Sequence, residues 1–318
     1  MSIISKDITK AVNILTEEDI VAIPTETVYG LAGNIFSEKA IRKIFEVKER
    51  PLFNPLIVHI HSIEQLKELV SEFPEKAQQL ATIFWPGPLT LILKKNACVP
   101  GLVTGGKDTV AVRIPNHPVA LRLLKELSFP LAAPSANPFN RISPTSAIHV
   151  EDYFKNKLSM ILEGGECSSG IESTIIGFEN EKPVLYRLGS ISIEEINAVI
   201  GEVLIQTTST KTPAAPGMLA KHYAPQTKTF LVDDAEEILK EQKGKRIGVL
   251  RFTEKMTSTS CEYIEVLSKT ADLKEAASNL YSALHKLDHL NLDIIVVESF
   301  PNVGLGKTIN DRLERAAT

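Results

Sequence analysis

The chain has 318 residues, 43% hydrophobic and 23% charged, with a net charge of -4. That length can bury a sizeable core and divide into two domains. The faintly acidic balance argues against a protein that grips nucleic acid by its backbone, so cationic residues must act locally, in a site.

The three cysteines, Cys98, Cys167 and Cys261, form no C-x-x-C pair. Neither a disulfide framework nor a cysteine zinc site is indicated, and a reducing cytoplasm fits. The opening MSIISKDITK lacks a long apolar run, and no stretch approaches a membrane span. A cytoplasmic protein without signal peptide or membrane attachment is expected.

Residues 5–15 read as a first helix, leading into a short apolar strand, Val21-Ala22-Ile23, stopped by Pro24. Residues 25–30 then set two hydroxyls, a carboxylate and a phenol just beyond the strand end. An amphipathic helix follows, with Ser37 as N-cap and Ile41, Ile44 and Phe45 on one face. It delivers Lys48 and Arg50 at its end, where Pro51 stops it. Residues 54–61 are a loop feeding a β-rich run, and Ser62 with Gln65 makes a capping box for the next helix. Residues 73–84 are helical until Trp85-Pro86-Gly87-Pro88 breaks them. Strands are predicted at 89–93, 109–115 and 130–134, with a glycine-rich loop at 101–106 and a helix at 118–127. A polar loop, 135–143, precedes strands at 159–162, 173–178 and 184–186 and a capped helix from Ser192 with Glu195.

Composition shifts at 206–225, where three prolines and many small polar residues read as a linker. Beyond it, strands at 228–232, 246–250, 263–267 and 293–298 alternate with helices at 235–241, 271–290 and 309–317. That alternation argues a small open α/β domain with a largely parallel sheet. The boundaries are placed at 1–206 for a first domain, 207–227 for a linker and 228–318 for the second domain.

Two stretches imitate a nucleotide P-loop. Residues 101–108 match G-x-x-x-x-G-K but put Asp108 where a Mg²⁺-binding hydroxyl belongs. Residues 301–308 end in G-K-T between a strand and a helix, but Pro301 replaces the first glycine and lacks an N–H for a phosphate cradle. Both are read as ordinary loops. His59 and His61, two apart on a strand, face the same way, yet no third ligand is near, so no histidine metal site is expected.

The remaining polar features sit at the ends of strands or helices. They are Thr25 and Thr27, Lys48 and Arg50, Asn54 and His59, Thr109 and Arg113, Ser135 and Asn137 with Ser143, Ser173 and Thr174, and Arg187. Each alone reads equally as a solvated group, and Lys48 and Arg50 as caps on a helix C-terminus. Together they describe a cleft rich in hydroxyls and cations, with no obvious general base or nucleophile. Such a cleft suits a triphosphate beside a small zwitterion, with catalysis by positioning and charge stabilisation.

Residues 24–31 (PTETVYGL), Lys48-Glu49-Arg50-Pro51 and Ser135-Ala136-Asn137 resemble the signatures of the YrdC-like threonylcarbamoyl-AMP synthases. Pro216-Gly217-Met218, His222-Tyr223-Ala224-Pro225 and the ending GLGKTINDRLERAA resemble the longer, two-domain form. The resemblance covers essentially the whole chain. It implies an α/β fold: a twisted mixed-sheet catalytic domain around a large concave cleft, plus a small Rossmann-like C-terminal domain. It implies that L-threonine, bicarbonate and ATP give threonylcarbamoyl-AMP and pyrophosphate. The product would pass to a separate tRNA threonylcarbamoyl transferase complex that modifies an adenosine beside the anticodon, with little direct tRNA binding here.

The same resemblance implies roles. Thr27, His59, Arg113 and Ser173 would hold threonine, with Arg113 on its carboxylate. Arg50, Asn54, Thr109, Ser135, Ser143 and Arg187 would hold ATP, with the backbone at Ala133. Lys48 and Asn137 would touch phosphate or the metal, and Tyr223 would fold back over the nucleotide. Mg²⁺ is expected to arrive with ATP, with no protein metal ligand assigned and no tightly bound organic cofactor. The competing reading is a double-stranded RNA-binding module, against which the charge balance speaks.

Overall fold

Eleven short strands make one mixed sheet. They are β1 (Ile4–Ser5), β2 (Val21–Ile23), β3 (Gly30–Asn34), β4 (Ile57–His59), β5 (Leu89–Lys94), β6 (Thr109–Arg113), β7 (Leu131–Ala132), β8 (Ile161–Leu162), β9 (Thr174–Glu179), β10 (Lys182–Arg187) and β11 (Leu204–Ile205). Their order across the sheet is β1-β8-β2-β3-β7-β4-β6-β5-β9-β10-β11. A second sheet, wholly parallel, holds β12 (Lys228–Val232), β13 (Ile247–Arg251), β14 (Tyr263–Val266) and β15 (Ile294–Glu298) in the order β12-β15-β13-β14. The structure is a computed structural model and describes residues 3–208, 215–218, 222–242, 244–254, 261 and 263–317. Of the expected linker, residues 209–214 and 219–221 therefore lie outside the described residues.

The largest apolar cluster lies on the first sheet, where Leu31, Val58, Leu91 and Val112 meet Ile41, Ile44 and Phe45 of the helix Glu38–Lys48. That helix forms because its apolar positions repeat at helical spacing, and Ser37 caps it by accepting from Ala40 N–H at 3.1 Å. Another cluster joins the two parts of the chain. Val28, Ile142 and Ile171 pack with Tyr223 and with Leu280, Tyr281 and Leu284 of the helix Leu273–Asp288. The second sheet's domain is thus seated directly behind the loop that follows β2.

Most predicted elements stand within a few residues of their expected bounds. The first helix is shorter, Ile8–Thr16, because residues 4–5 pair with β8 instead. The strand β3 and the helix Ala147–Phe154 were not expected. In β3, Gly30 and Gly33 hide strand propensity but permit close approach: a Cβ on Gly30 would lie 3.1 Å from the Ala133 Cβ. The Ser62 cap accepts from Gln65 N–H, but the Gln65 side chain turns to the His61 N–H, so the reciprocal half of the capping box is displaced by one residue.

Candidate active site

Pro24 ends β2, and the chain then folds on itself. Thr25 Oγ1 donates to Val28 O at 2.6 Å and accepts from the N–H groups of Thr27 and Val28. This hydroxyl-closed turn is what places Thr27. Thr27 Oγ1 accepts from Arg113 Nη1 at 2.8 Å. Arg113 sits at the end of β6, in register with His59 at the end of β4, so parallel pairing brings both to one edge of the sheet. Arg113 Nε donates to Gly87 O at 3.2 Å, and Nη2 lies 2.6 Å from Glu26 Oε1. This ion pair is almost fully buried, Arg113 at 3% and Glu26 at 4% exposure. Burial, helped by the Arg113 charge, pushes the His59 imidazole down to about 3, so it is neutral at physiological pH. Ser173, just before β9, completes this side; its Oγ is 2.7 Å from Thr90 Oγ1.

Two further guanidinium groups face it. Arg50 follows the left-handed residue Glu49, which turns the chain off the helix end. Its Nε and Nη2 donate to the carbonyls of Asn54 and Pro55. Arg187, at the end of β10, donates from Nε to Ser173 O and from Nη2 to Ser173 Oγ, both at 3.0 Å. Among the described residues, neither has a carboxylate within 4.0 Å. Burial first, and Arg187 second, bring Arg50 down to about 9; both forces would be relieved by an anion. Arg187 is lowered as well, chiefly by burial. Two charged, buried forks without an ion-pair partner among the described residues, Arg187 feeling Glu172 only at longer range, fit an anion site.

These groups surround one hollow of about 570 Å³, its open mouth included. Of the predicted residues, Thr27, His59, Arg113 and Ser173 line it, as do Arg50, Ala133, Ser135, Arg187 and Tyr223. Five do not. Lys48 Nζ instead donates to the carbonyls of Ser135 and Asn137, both at 2.5 Å, and so braces the S-x-N loop from behind. The Asn137 amide turns inward to Pro138 O and Arg141 O. Ser143 Oγ donates to Glu172 at 2.6 Å. Asn54 is fully buried beside Arg50, and neither polar atom of its amide has a partner in the structure. Thr109 is at the far end of β6, four residues from Arg113 and so about 13 Å away, where it lines a different groove with Asp108 and Phe178. His59 and His61 also part company: β4 ends at His59, and His61 lines a groove with Trp85 and Pro86. Lys307 of the G-K-T decoy pairs with Glu194 at 2.7 Å.

Residues 13–189 match the Sua5, YciO and YrdC family, described as "Telomere recombination", and residues 191–318 match the family described as "Threonylcarbamoyl-AMP synthase, C-terminal domain". The chain belongs to the Sua5/YrdC family. It is 43% identical to the threonylcarbamoyl-AMP synthase of Pyrococcus abyssi, over 96% of this chain and 93% of that one. It is 42% identical to the threonylcarbamoyl-AMP synthase of Bacillus subtilis, over 98% and 92%. The crystal structure of P. abyssi Sua5 complexed with L-threonine superposes with a TM-score of 0.92 at 42% identity, covering 98% of this chain and 94% of that one.

In this Sua5/YrdC protein the hollow has walls to which no role was assigned from sequence: Thr25, Gly217 and His222 stand inside the quoted motifs, and Glu172 outside them. Thr25, Glu172, Gly217 and His222 also line it, and Glu26 stands behind Arg113. Glu26 lies inside the T-E-T motif, so its neighbours were a usable signal. Glu172 offers none, because Ser143, Tyr281 and Arg312 reach it from 29, 109 and 140 residues away. His222 is held neutral, well below its usual value, by burial and then by Arg50 and Lys48. Among the described residues, no group of three or more His, Cys, Asp or Glu could hold a metal ion, and no helix is long and apolar enough to cross a membrane.

Proposed function

We propose that this protein is a threonylcarbamoyl-AMP synthase, joining L-threonine, bicarbonate and ATP into threonylcarbamoyl-adenylate and pyrophosphate. The observation that carries the reading is the convergence on one hollow of two guanidinium groups without an ion-pair partner among the described residues, Arg50 and Arg187, with the hydroxyl-rich group of Thr27, His59, Arg113 and Ser173. Full-length relatives named as threonylcarbamoyl-AMP synthases support it, which sets aside the RNA-binding alternative.

In this reading Arg113 holds the threonine carboxylate, with Thr27, His59 and Ser173 around the rest of the amino acid. Arg50, Arg187 and Ser135 hold the nucleotide with the Ala133 backbone, while Lys48 and Asn137 keep the Ser135 loop in shape. The orphaned Asn54 amide and the unpartnered Tyr223 hydroxyl have the right character for further nucleotide contacts. Ser143 and Thr109 are not needed at the first wall of the hollow. Glu26 and Glu172, the carboxylates here, are in ion pairs with arginines, so Mg²⁺ is best supplied bound to the ATP phosphates.

Bicarbonate yields CO₂ by losing hydroxide; the threonine amine attacks that CO₂, an N–C bond forms, and the proton the amine loses converts the hydroxide to water. A carbamate oxygen then attacks the α-phosphorus in line, and the bond to the β-phosphate oxygen breaks. The arginines offset charge on the departing pyrophosphate; removing one from a water-excluded site costs on the order of 100-fold in rate. The adenylate, a reactive mixed anhydride, then passes to a tRNA threonylcarbamoyl transferase complex. The test is pyrophosphate release from ATP with threonine and bicarbonate each omitted in turn. Release should require both, and release independent of either refutes the assignment. Serine should replace threonine poorly but measurably, since one methyl is worth about 1–3 kcal/mol.

A further inference from the structure

One guanidinium of the second domain reaches three separate parts of this site without lining the hollow. Arg312, on the helix Leu305–Ala316, is 1% exposed. Its Nε donates to Glu172 Oε2 at 2.9 Å, and its Nη2 donates to Leu188 O at 2.5 Å. Its guanidinium carbon lies 4.7 Å from the centre of the Tyr223 ring. Glu172 precedes Ser173 and also accepts from Ser143; Leu188 follows Arg187. Tyr281 Oη adds a donor to Glu172 at 2.9 Å from the same domain. Burial opposes the charge on Glu172, but Arg312 and then Arg187 outweigh it, leaving this carboxyl ionised.

We propose that Arg312 is a positioning residue for the nucleotide side of the cleft, engaging the Glu172 carboxylate so that Arg187 stays free for phosphate. This rests on the synthase reading above. Arg187 also acts on the Glu172 charge, yet among the described residues it has no carboxylate within 4.0 Å, whereas Arg312 pairs with Glu172 at 2.9 Å. Without Arg312, Glu172 turns to Arg187, cancels its charge and competes with ATP. The C-terminal domain thereby tunes the anion site of the first domain through one side chain.

The full-length chain is titrated with ATP by calorimetry, and pyrophosphate release is followed in parallel. Arg312→Leu should weaken ATP binding about tenfold, the scale of one charge-assisted contact, while the KM for threonine moves much less. Adding Glu172→Gln to Arg312→Leu should restore most of the ATP affinity, which a merely structural role for Arg312 would not do. Arg312→Lys, keeping the counter-charge, should stay close to wild type. Should Arg312→Leu not fold, Arg312→Gln must show the same loss. Unchanged ATP affinity in folded Arg312→Leu or Arg312→Gln, or a double variant weaker than either single one, overturns the proposal. Absence of threonine-dependent pyrophosphate release by the wild type would instead overturn the synthase reading, leaving the ATP titration still readable.

Discussion

Two nitrogens of Arg113 donate hydrogen bonds, Nε to Gly87 O and Nη1 to Thr27 Oγ1, and Nη2 lies 2.6 Å from the Glu26 carboxylate. The side chain is held in place before any substrate arrives, so its orientation need not be fixed during binding. Arg113→Ala should raise the KM for threonine at least about tenfold. It should also lower stability by about 3–5 kcal/mol, because Glu26 would be left buried and unpaired. Steady-state kinetics and denaturant unfolding measure the two effects. Arg113→Ala combined with Glu26→Gln should regain stability without regaining threonine binding; recovery of both would contradict the assigned role. The motifs made Thr27, Arg50 and Ser135 legible from sequence, since each follows a strand or helix end whose pattern is plain; Arg113, inside a predicted strand, came from the family resemblance. Glu172 was not, because its partners meet it only through the tertiary fold.

Strand and helix patterns were readable wherever apolar periodicity was strong, as in the helix Glu38–Lys48 and the strand β13. They failed at β3, whose two glycines exist for close packing rather than for strand propensity. A comparable approach occurs at the turn after β10. A Cβ on Gly189 would lie 2.3 Å from Ser173 C and Thr174 N. Gly189→Ala should therefore push the Ser173 segment out of place and lower both turnover and melting temperature; a variant with wild-type values of both would refute that packing argument. The helices Ala147–Phe154 and Leu273–Asp288 meet through stacked imidazoles, His149 and His285, with ring centres 4.0 Å apart. Burial holds His149 down to about 4 and His285 to about 3. His289 and Arg141 further disfavour charge on His285, whereas Asp152 favours it on His149. An unfolded chain takes up these protons near 6.5, so the unfolded state binds more protons once pH falls below that value. Stability should then drop with acidification by up to about 1.4 kcal/mol per pH unit for each such histidine. Thermal melts at pH 7.5 and pH 5 should show a large fall for the wild type and a smaller one for His285→Gln. An equal fall in both would contradict the claim.

At the scale of the molecule, the two domains are joined by a shared core and by Glu172, while the hollow is lined by the first domain and by Pro216, Gly217, His222 and Tyr223 of the linker. Tyr223 belongs to this junction: it is 1% exposed, packs 5.8 Å from the Tyr281 ring and closes one wall of the hollow. A closed wall protects a hydrolysable adenylate. Tyr223→Ala should shorten the lifetime of the product and lower turnover, as followed by product decay after quenching ATP; unchanged values of both would remove that role. The central claim is that one hollow seats an amino acid against the innermost phosphate of a nucleotide. It is tested most directly by incubating the protein with ATP, L-threonine and ¹³C-bicarbonate and weighing the products by mass spectrometry. The expected product is an adenylate of threonine carrying one ¹³C, formed with pyrophosphate. Formation of a threonyl-adenylate without the label, or no adenylate at all, would contradict it.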